Sequence, residues 1–480
     1  MNPLRPRLGW LPVLMALILG AAGCAYQPSS ASTQPAAAHP AVSGCQAGAE
    51  GYLDWLDGCL AGLEKDVPSI VNSAQHAAKL YVDEGYELGA CGGDPFTREV
   101  FNRSGGMMGL LAFEKFVGNN RKPSPARKSI VMLGLREDRI EDLAARSRQF
   151  RQDGCYVIAF GRAALVERAR RQGAQFDEVI DTHASPSGGL VPGQAGRWLL
   201  PTDSVASSCA SWLWVGEFVA SCTRLGKMPP VYMGYVVDGA FERERKYKGL
   251  RFHDSLYEKM PVGKASSQFL AALRGSLRKV RSSELTGVRQ AASQALAARR
   301  AGGKLSVYLQ GHTLLHLMGY PNDPGFFEPI HYDWNTLRKD AAFKSGDFIL
   351  CVGYDVLYQG EKWQFMAERA RKAGTKLAWS ITDYHKNEVD AAAAAGEVII
   401  RQYWGFGDSV VEIKGYDVKM LPTSGIIAEA VVWMVHADML KLMNATADQP
   451  ATAPYRTSPG TTATSGPSAS PASARAPAGR

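Results

Sequence analysis

The chain has 480 residues, of which 46% are hydrophobic, and it carries a formal net charge of +8 with an isoelectric point of about 9.0. Once its polar ends are set aside, this length leaves room for two domains of about 200 residues each. The basic excess does not indicate a nucleic-acid partner, because part of it lies at the chain ends and the most basic stretch, residues 243–248, also contains Glu244. A solvated, mixed-charge surface is the simpler interpretation.

The N-terminal residues have the pattern of a bacterial lipoprotein signal. Arg5 and Arg7 precede an apolar stretch at residues 11–22, which is short for a transmembrane span and leads into Ala-Ala-Gly-Cys. This ending resembles the lipobox, in which the cysteine, here Cys24, is acylated after cleavage. We predict a signal peptide at residues 1–23 and a protein of the bacterial cell envelope, lipid-anchored at the outer membrane and facing the periplasm. An ordinary secretory signal cleaved nearby is the alternative.

Two segments outside the predicted fold are polar and rich in small residues. Residues 24–49 are rich in Ser, Ala, Pro and Gln and are predicted to form a flexible tether. Residues 446–480 are rich in Ala, Pro, Ser and Thr, have little to bury and are predicted to be disordered. The chain between them is predicted to form two units, at residues 50–270 and residues 271–445.

Seven cysteines remain besides the predicted lipid attachment site. An odd number leaves at least one of them unpaired or bridged to another chain. Cys155 and Cys351 lie in predicted strands and are expected to be buried thiols, whereas Cys45 and Cys59 could form a disulfide in an oxidising periplasm. No Cys-x-x-Cys spacing indicates zinc, and we predict neither a metal nor a cofactor.

The apolar pattern of the first half predicts helices alternating with strands. Helical spacing of apolar residues covers residues 52–86, and a short strand follows before Gly92 and Gly93, whose amides could form an anion-binding nest. The later predicted elements are strands at residues 130–133, 156–160 and 177–181, a helix at residues 141–152, and a long apolar helix at residues 205–222.

The second half repeats this order. It has predicted helices at residues 290–300, 362–372 and 425–440 and predicted strands at residues 305–309, 348–352, 377–381 and 397–401. Gly134 and Gly353, which follow the central apolar runs, are 219 positions apart, and Pro201 and Pro422 in two Leu-Pro-Thr turns are 221 apart. Two further pairs of landmarks share this offset. The pattern predicts two copies of one α/β unit, each with a parallel sheet covered by helices on both faces.

These motifs, in this order, resemble the SIS (sugar isomerase, or phosphosugar-binding) family. The first copy contains SIVMLGLREDRIEDLAARSRQFRQDGCYVIAFG followed by LPTDSVASSCASWLWVGE, and the second contains GDFILCVG, ARKAGTKLAWSIT and LPTS. The resemblance covers about residues 50–440. It implies two tandem SIS-like, flavodoxin-type three-layer αβα units with parallel sheets, and ligands at the strand ends.

The family's phosphate loop is not present. In the family a Ser-x-Ser-Gly-x-Thr type sequence holds the phosphate, but residues 134–138 are Gly-Leu-Arg-Glu-Asp and residues 353–357 are Gly-Tyr-Asp-Val-Leu. Two acids in the first loop would repel a phosphate, and the family's catalytic Glu and His-Gly-Pro signatures are missing. The sequence therefore predicts binding of a sugar or sugar derivative, neutral or cationic, in a cleft at the C-terminal strand ends. An aldose–ketose isomerase or lyase and a degenerate pair serving as an interaction scaffold are the alternatives.

We expect the second half to be the binder. His312, Asp355 and Trp404 follow predicted strands, and Thr423 and Ser424 begin a predicted helix at the same edge. The first two would bond to sugar hydroxyls, and Trp404 would stack on the apolar face of the sugar. An aromatic anchor inside the loop is the alternative for Trp404.

Two smaller sets complete the candidates. Thr202 and Ser204 lie in the first-half equivalent of this turn, where they would contact ligand, cap the following helix, or both. Glu328 and His331 could transfer a proton between adjacent sugar carbons, or lie on a surface loop. The expected partners are a sugar-type ligand and, through the lipid, a membrane; a homodimer is compatible with the pattern.

Overall fold

Helices and strands alternate along the computed structural model, which describes residues 48–93, 95–114, 128–254, 256–309, 317–330, 343–353, 360–382 and 386–445. The predicted signal peptide, Cys24 and the C-terminal tail lie outside these ranges. The described residues of both halves belong to one compact unit. None of the helices in the described ranges combines the length and apolar character that a membrane span requires.

The first half builds a five-stranded sheet and a hairpin. Its helices are α1 (Ala49–Lys65), α2 (Val67–Val82), α3 (Phe96–Val100), α4 (Ile140–Gln152), α5 (Ala163–Arg171), α6 (Asp203–Arg224) and α7 (Ala240–Tyr247). Its strands are β1 (Glu87–Cys91), β2 (Leu111–Ala112), β3 (Ser129–Gly134), β4 (Tyr156–Gly161), β5 (Glu178–Asp181), β6 (Gly189–Pro192) and β7 (Trp198–Pro201). The sheet is parallel, in the order β2-β1-β3-β4-β5, and β6 pairs with β7 in an antiparallel hairpin.

The second half builds the same arrangement. Its helices are α8 (Lys264–Ser283), α9 (Leu285–Arg300), α10 (Gly360–Ala373), α11 (Lys386–Ala394) and α12 (Ser424–Ala445). Its strands are β8 (Leu305–Leu309), β9 (Glu328–Pro329), β10 (Phe348–Val352), β11 (Lys376–Ile381), β12 (Val398–Arg401), β13 (Ser409–Val411) and β14 (Met420–Pro422). The sheet is parallel, in the order β9-β8-β10-β11-β12, and β13 and β14 form the hairpin.

The equal strand orders confirm the predicted duplication. The central strands β3 and β10 occupy the same position in their sheets, and β4 and β11 lie beside them on the same side. Both central strands are buried along their whole length, as continuous apolar runs in parallel sheets usually are. Even the backbone is repeated, because Leu200 and Leu421 in the second strand of each hairpin have φ of 64° and 63°.

Each sheet lies between two layers of side chains, which confirms the three-layer α/β prediction. One face of the first sheet packs on apolar residues of α4 and α5, and the corresponding face of the second packs on α10 and α11. The opposite faces of both sheets share one core with α1, α2, α6, α8, α9 and α12. The helices α6 and α12 are buried on nearly all sides, with Trp212 and Trp433 among their fully buried residues.

The helical segment predicted at residues 52–86 is two helices rather than one. Helix α1 ends at Lys65, Asp66 lies between the two helices, and Pro68 lies in the first turn of α2. Proline is suited to a first turn, where its missing N–H has no intrahelical partner, but it cannot continue a helix from within. The boundary predicted between residues 270 and 271 falls inside α8, which stands before β8 as α1 stands before β1.

Cys59 is a free, buried thiol, so it does not form the disulfide with Cys45 that the sequence left open. Its Sγ lies 3.3 Å from the carbonyl oxygen of Thr182 inside the fold. The expectation that Cys155 and Cys351 are buried thiols is confirmed. Cys45 itself lies outside the described residues.

Candidate ligand-binding site

Charged side chains gather at the edge of the first sheet where its strands end. Because the strands of this sheet are parallel, the loops that follow them lie side by side. The loop after β3, the end of β4, the start of α6 and a segment of the second half all contribute polar groups. The strand-end cluster, as we call it, consists of Arg136, Glu137, Asp138, Arg162, Asp203, Tyr320 and Asn322.

Arg162 holds the ion pairs of the cluster together. Its Nε donates to Oδ1 of Asp203 at 3.1 Å, and its Nη2 donates to Oε2 of Glu137 at 2.7 Å. The side chain of Glu137 is 38% exposed, whereas those of Arg162 and Asp203 are 7% and 6% exposed. Burial raises the pKa of Asp203 to about 6, and the guanidinium only partly offsets this effect. The network runs from the surface at Glu137 into the interior at Asp203.

A second arginine organises the loop after β3. Arg136 donates from Nε and Nη2 to the two carboxylate oxygens of Asp138, at 2.7 and 2.8 Å. Its guanidinium carbon lies 5.0 Å from the ring centre of Tyr320, a buried residue of the second half. Burial and the charge of Asp203 raise the pKa of the Tyr320 hydroxyl well above its ordinary value. Tyr320 therefore keeps its proton at neutral pH and can donate a hydrogen bond.

Asn322 brings an unused donor to the cluster. Its Nδ2 atom is buried and has no hydrogen-bond partner among the described residues. A Cβ on Gly188 would lie 2.9 Å from this atom, from Nη2 of Arg162 and from Oδ2 of Asp203, so the three polar atoms converge on one glycine. A buried polar atom without a partner is costly, and a ligand oxygen would satisfy it.

The loop after β1 forms a backbone nest that already holds a carboxylate. Glu114 accepts hydrogen bonds from the amides of Gly92 and Gly93, from the Thr97 hydroxyl at 3.2 Å and from Nη1 of Arg139 at 3.0 Å. Burial alone would favour the neutral acid, but these donors and the guanidinium hold the pKa of Glu114 below its ordinary value. The amides of Gly92 and Gly93 thus bind an anion, and that anion belongs to the chain.

At the equivalent edge of the second half, a buried arginine and a buried aspartate bond to the start of α12. Nη2 of Arg103, a first-half residue, donates to Oδ2 of Asp408 at 3.3 Å and to Oγ of Ser424 at 2.7 Å. Oδ1 of Asp408 accepts from the amides of Thr423 and Ser424 at 3.1 and 2.8 Å. None of these four residues is more than 2% exposed. Burial raises the pKa of Asp408 to about 6 despite the guanidinium and these donors.

The two halves differ at the residue before each hairpin. Gly188 and Asp408 both stand one position before the first hairpin strand, with φ of 72° and 63°. The Asp408 carboxylate accepts from the first amides of α12, whereas α6 begins without a side-chain cap. The first half therefore presents an uncapped helix start beside Asn322, where the second half has an internal carboxylate.

Glu429 joins α12 to the start of α6 inside the core. Its Oε1 accepts from the hydroxyl of Ser204 and from the indole N–H of Trp433, the latter at 3.2 Å. Its Oε2 is buried and has no hydrogen-bond partner within the described ranges. Burial raises the pKa of Glu429 to about 8, although both donors oppose the shift. Glu429 is therefore mainly a neutral acid at pH 7.

The two predicted first-half contacts, Thr202 and Ser204, already have partners. Oγ1 of Thr202 accepts a hydrogen bond from the amide of Ser185 at 3.2 Å. Because no side chain caps α6, the expectation that Thr202 caps this helix is wrong. The Ser204 hydroxyl donates to Glu429. Both residues lie beside Asp203 of the strand-end cluster, but their side chains face the interior.

The predicted second-half contacts that the structure describes are also buried. Ser424 belongs to the network of Arg103 and Asp408, whereas Oγ1 of Thr423 is buried without a partner in the part of the chain that is described. Trp404 is 3% exposed, and its indole N–H donates to Oε1 of Gln402 at 2.5 Å. The position of Trp404 is that of an aromatic anchor, and the nearby Phe406 is 58% exposed.

Three predicted residues, His312, His331 and Asp355, lie outside the described residues, so the second-half site that they would form stays a prediction. Glu328 is exposed on β9 and pairs with Nζ of Lys304 at 2.9 Å. Within the described ranges, no group of three or more His, Cys, Asp or Glu side chains is placed to hold a metal ion.

Several buried charged residues of these networks were not predicted from the sequence. They are Arg103, Glu99, whose Oε1 lies 3.6 Å from Nε of Arg103, Glu429, and the partly buried Glu114. Glu429 had a recognisable pattern, because it is an acid within a helix that is otherwise almost wholly apolar. Arg103 had none, because its partners Asp408 and Ser424 are 305 and 321 positions away.

Comparison with known proteins gives matches only among solved structures. No family model matches the chain, and no curated protein matches it. The tagatose-6-phosphate ketose/aldose isomerase from Escherichia coli matches with 10% identity over 83% of this chain and 95% of that chain, at a TM-score of 0.42. The C-terminal domain of glucosamine-fructose-6-phosphate aminotransferase from Francisella tularensis matches with 11% identity over 81% of this chain and 96% of that chain, at 0.38. At these TM-scores, the likeness supports no conclusion about activity.

Proposed function

We propose that the protein binds a sugar or sugar derivative through its hydroxyl groups at the strand-end cluster of the first half. The observation that carries the proposal is the unpartnered amide of Asn322 beside the Arg162–Asp203 pair, at the uncapped start of α6. Hydroxyl groups both donate and accept hydrogen bonds, so they suit a site in which donors and acceptors converge. The sequence resemblance to the SIS family supports the same ligand class.

The charges of the cluster favour a neutral or cationic ligand. Two arginines face three acids, and each arginine is already paired with a carboxylate of the cluster. A doubly charged phosphate would have to break these pairs or approach Glu137 and Asp138 uncompensated. A sugar hydroxyl would instead accept from Asn322 and donate to an acid without a change in net charge.

A structural role is the second candidate, and it applies to the second half. The network of Arg103, Asp408 and Ser424 uses the polar groups at the start of α12 for contacts within the chain. This observation favours the interpretation of the second copy as a degenerate partner that completes the fold. Aldose–ketose isomerase or lyase chemistry stays an alternative, with Glu328 and His331 as its candidate residues.

We also propose that the protein is exported and anchored to the outer membrane, facing the periplasm, through lipid on Cys24. The support is the sequence of residues 11–24, a short apolar stretch that ends in small residues before a cysteine. An exported location fits a ligand that is not phosphorylated.

The test of the sugar site is a thermal-shift screen of the full chain against neutral sugars, amino sugars and their phosphates, followed by calorimetry on the best ligand. Asn322→Ala should weaken binding by about 1–3 kcal/mol, the usual cost of losing a buried polar partner, and Glu137→Gln, at an exposed acid, by about 0.5–1.5 kcal/mol, the net value of an ordinary hydrogen bond. Glu167→Gln, which removes an exposed acid paired with Arg170 on α5, is the matched control and should leave binding unchanged.

A parallel His312→Ala/Asp355→Ala variant separates the two edges. Loss of binding in that variant alone would place the ligand in the second half. A sugar phosphate that binds more tightly than its parent sugar, or wild-type affinity in both first-half variants, would contradict the proposal.

A further inference from the structure

The nest around Glu114 has the composition of a site for a free anion. Two backbone amides, one hydroxyl and one guanidinium converge on the two carboxylate oxygens. Successive amides that point at one spot attract anions because their N–H dipoles add, and a guanidinium supplies the countercharge. Such a set would serve equally for one or more oxygens of a phosphate, a sulfate or a foreign carboxylate.

The two amides of the nest belong to glycines that no other residue could easily replace. Gly92 and Gly93 have φ of 152° and 79°, conformations that favour glycine. A Cβ at Gly92 would meet the Gly134 carbonyl oxygen at 2.5 Å, and one at Gly93 would collide with Nη1 of Arg139. Side chains at these two positions would therefore displace the Gly134 backbone or the Arg139 guanidinium that faces the nest.

The nest adjoins the strand-end cluster. The same Cβ position at Gly93 lies 3.8 Å from Nη1 of Arg136, a cluster residue. Arg139 also donates to Asp142 at 2.5 Å, so the arginine that faces the nest is shared between two acids. A phosphate carried by a ligand in the cluster that reached this nest would meet a resident negative charge there.

We propose that Glu114 is a specificity-determining residue, an internal anion that occupies this nest and excludes phosphorylated ligands from the adjoining cluster. The contacts of Glu114 are sufficient to show that it occupies the nest. Its effect on the choice of ligand rests on the proposed sugar site. Removing the carboxylate leaves four donors without an acceptor and converts the nest into an anion-binding site.

The test uses the full chain and inorganic phosphate as the probe, with chloride at the same ionic strength as the reference. Glu114→Ala should melt at a lower temperature than the wild type in chloride, because its donors are orphaned. In phosphate its melting temperature should rise and saturate, with a dissociation constant at least about tenfold tighter than that of the wild type. Glu114→Ser, whose side chain is too short to reach these donors, provides a second variant should the alanine variant not fold. Glu114→Gln keeps an acceptor for the amides and should respond to phosphate less than either.

Two controls separate the nest from general salt effects. Glu141→Ala removes the same charge from an exposed position on α4 and should show no saturable phosphate response. Arg139→Gln added to Glu114→Ala should abolish the response, because the nest then lacks its cation.

Folded Glu114→Ala and Glu114→Ser variants that respond to phosphate no more than Glu141→Ala would overturn the proposal. So would a wild type that binds phosphate as tightly as they do. Sulfate should act as phosphate does, since the recognition is of an oxyanion. These outcomes do not depend on whether the wild type binds any sugar, so failure of the sugar site is recognised separately.

Discussion

Replacing Glu429 by glutamine should flatten the dependence of stability on pH near neutrality. Burial raises the pKa of Glu429 from its ordinary value of 4.5 to about 8 in the folded protein. Between these two values the folded state holds a proton that the unfolded chain has lost. The stability that depends on this proton is therefore complete below about pH 4.5 and is lost as the pH rises through about 8.

The size of this effect follows from the shift itself. Each pH unit inside the window lowers the free energy of unfolding by about 1.4 kcal/mol, so the wild type should lose about 3 kcal/mol between about pH 6 and pH 8. Glu429→Gln has no titrating group at this position, so its free energy of unfolding should not show this loss. The amide oxygen of the glutamine can still accept hydrogen bonds from Ser204 and Trp433. Its amide nitrogen replaces Oε2, which has no hydrogen-bond partner in the wild type within the described ranges.

The assay is chemical denaturation at several pH values in that window, on the wild type, Glu429→Gln and the exposed control Glu167→Gln. The quantity compared is the change in the free energy of unfolding with pH for each protein. The control should follow the wild type. Parallel curves for the wild type and Glu429→Gln would refute the assignment of a neutral buried acid at this position.

Three further predictions concern the membrane anchor, the second-half network and the packing at the start of α12. Cys24→Ser should release the protein from membranes or block its processing, and a variant that fractionates with membranes as the wild type does would contradict the anchor. Asp408→Asn should destabilise the fold by about 1–3 kcal/mol, because it removes a carboxylate that pairs with the buried Arg103 while Glu99 remains 3.6 Å from Nε, and no measurable loss in denaturation would contradict the network. Gly425→Ala, whose Cβ would lie 2.7 Å from a buried carboxylate, should destabilise by about 1–3 kcal/mol. Gly58→Ala in α1, with nothing within 4 Å, should be neutral or stabilise by up to about 1 kcal/mol; equal effects at the two glycines would contradict the packing at the start of α12.

The fold could be predicted from the sequence where burial dictates composition. The continuous apolar runs of β3 and β10 are typical of central parallel strands, and the distance between them in the sequence predicted the duplication. The hairpin strands could not be predicted from the sequence, because their three or four residues are too few to show a periodic apolar pattern. The break at Asp66 was missed although Pro68 indicates it, since the apolar spacing continues across it.

The site was harder to predict than the fold. Parallel topology brings the carboxyl ends of the strands together, and the strand-end cluster lies at such an edge. The pairs that define the two edges, however, join residues far apart in the chain: Arg103 with Asp408, and Asn322 with Gly188. Spacing along a sequence carries no record of such contacts. Sequence favoured the second half as the binder, whereas the described geometry favours the first.

Hydrogen–deuterium exchange of the full chain, with and without the best stabilising sugar, tests the central claim most directly. The proposed site predicts slower exchange at the loop after β3, at the start of α6 and in residues 317–325, with little change in the surface helix α7. Protection confined to other segments, or protection produced only by a sugar phosphate, would contradict a sugar site at the strand-end cluster.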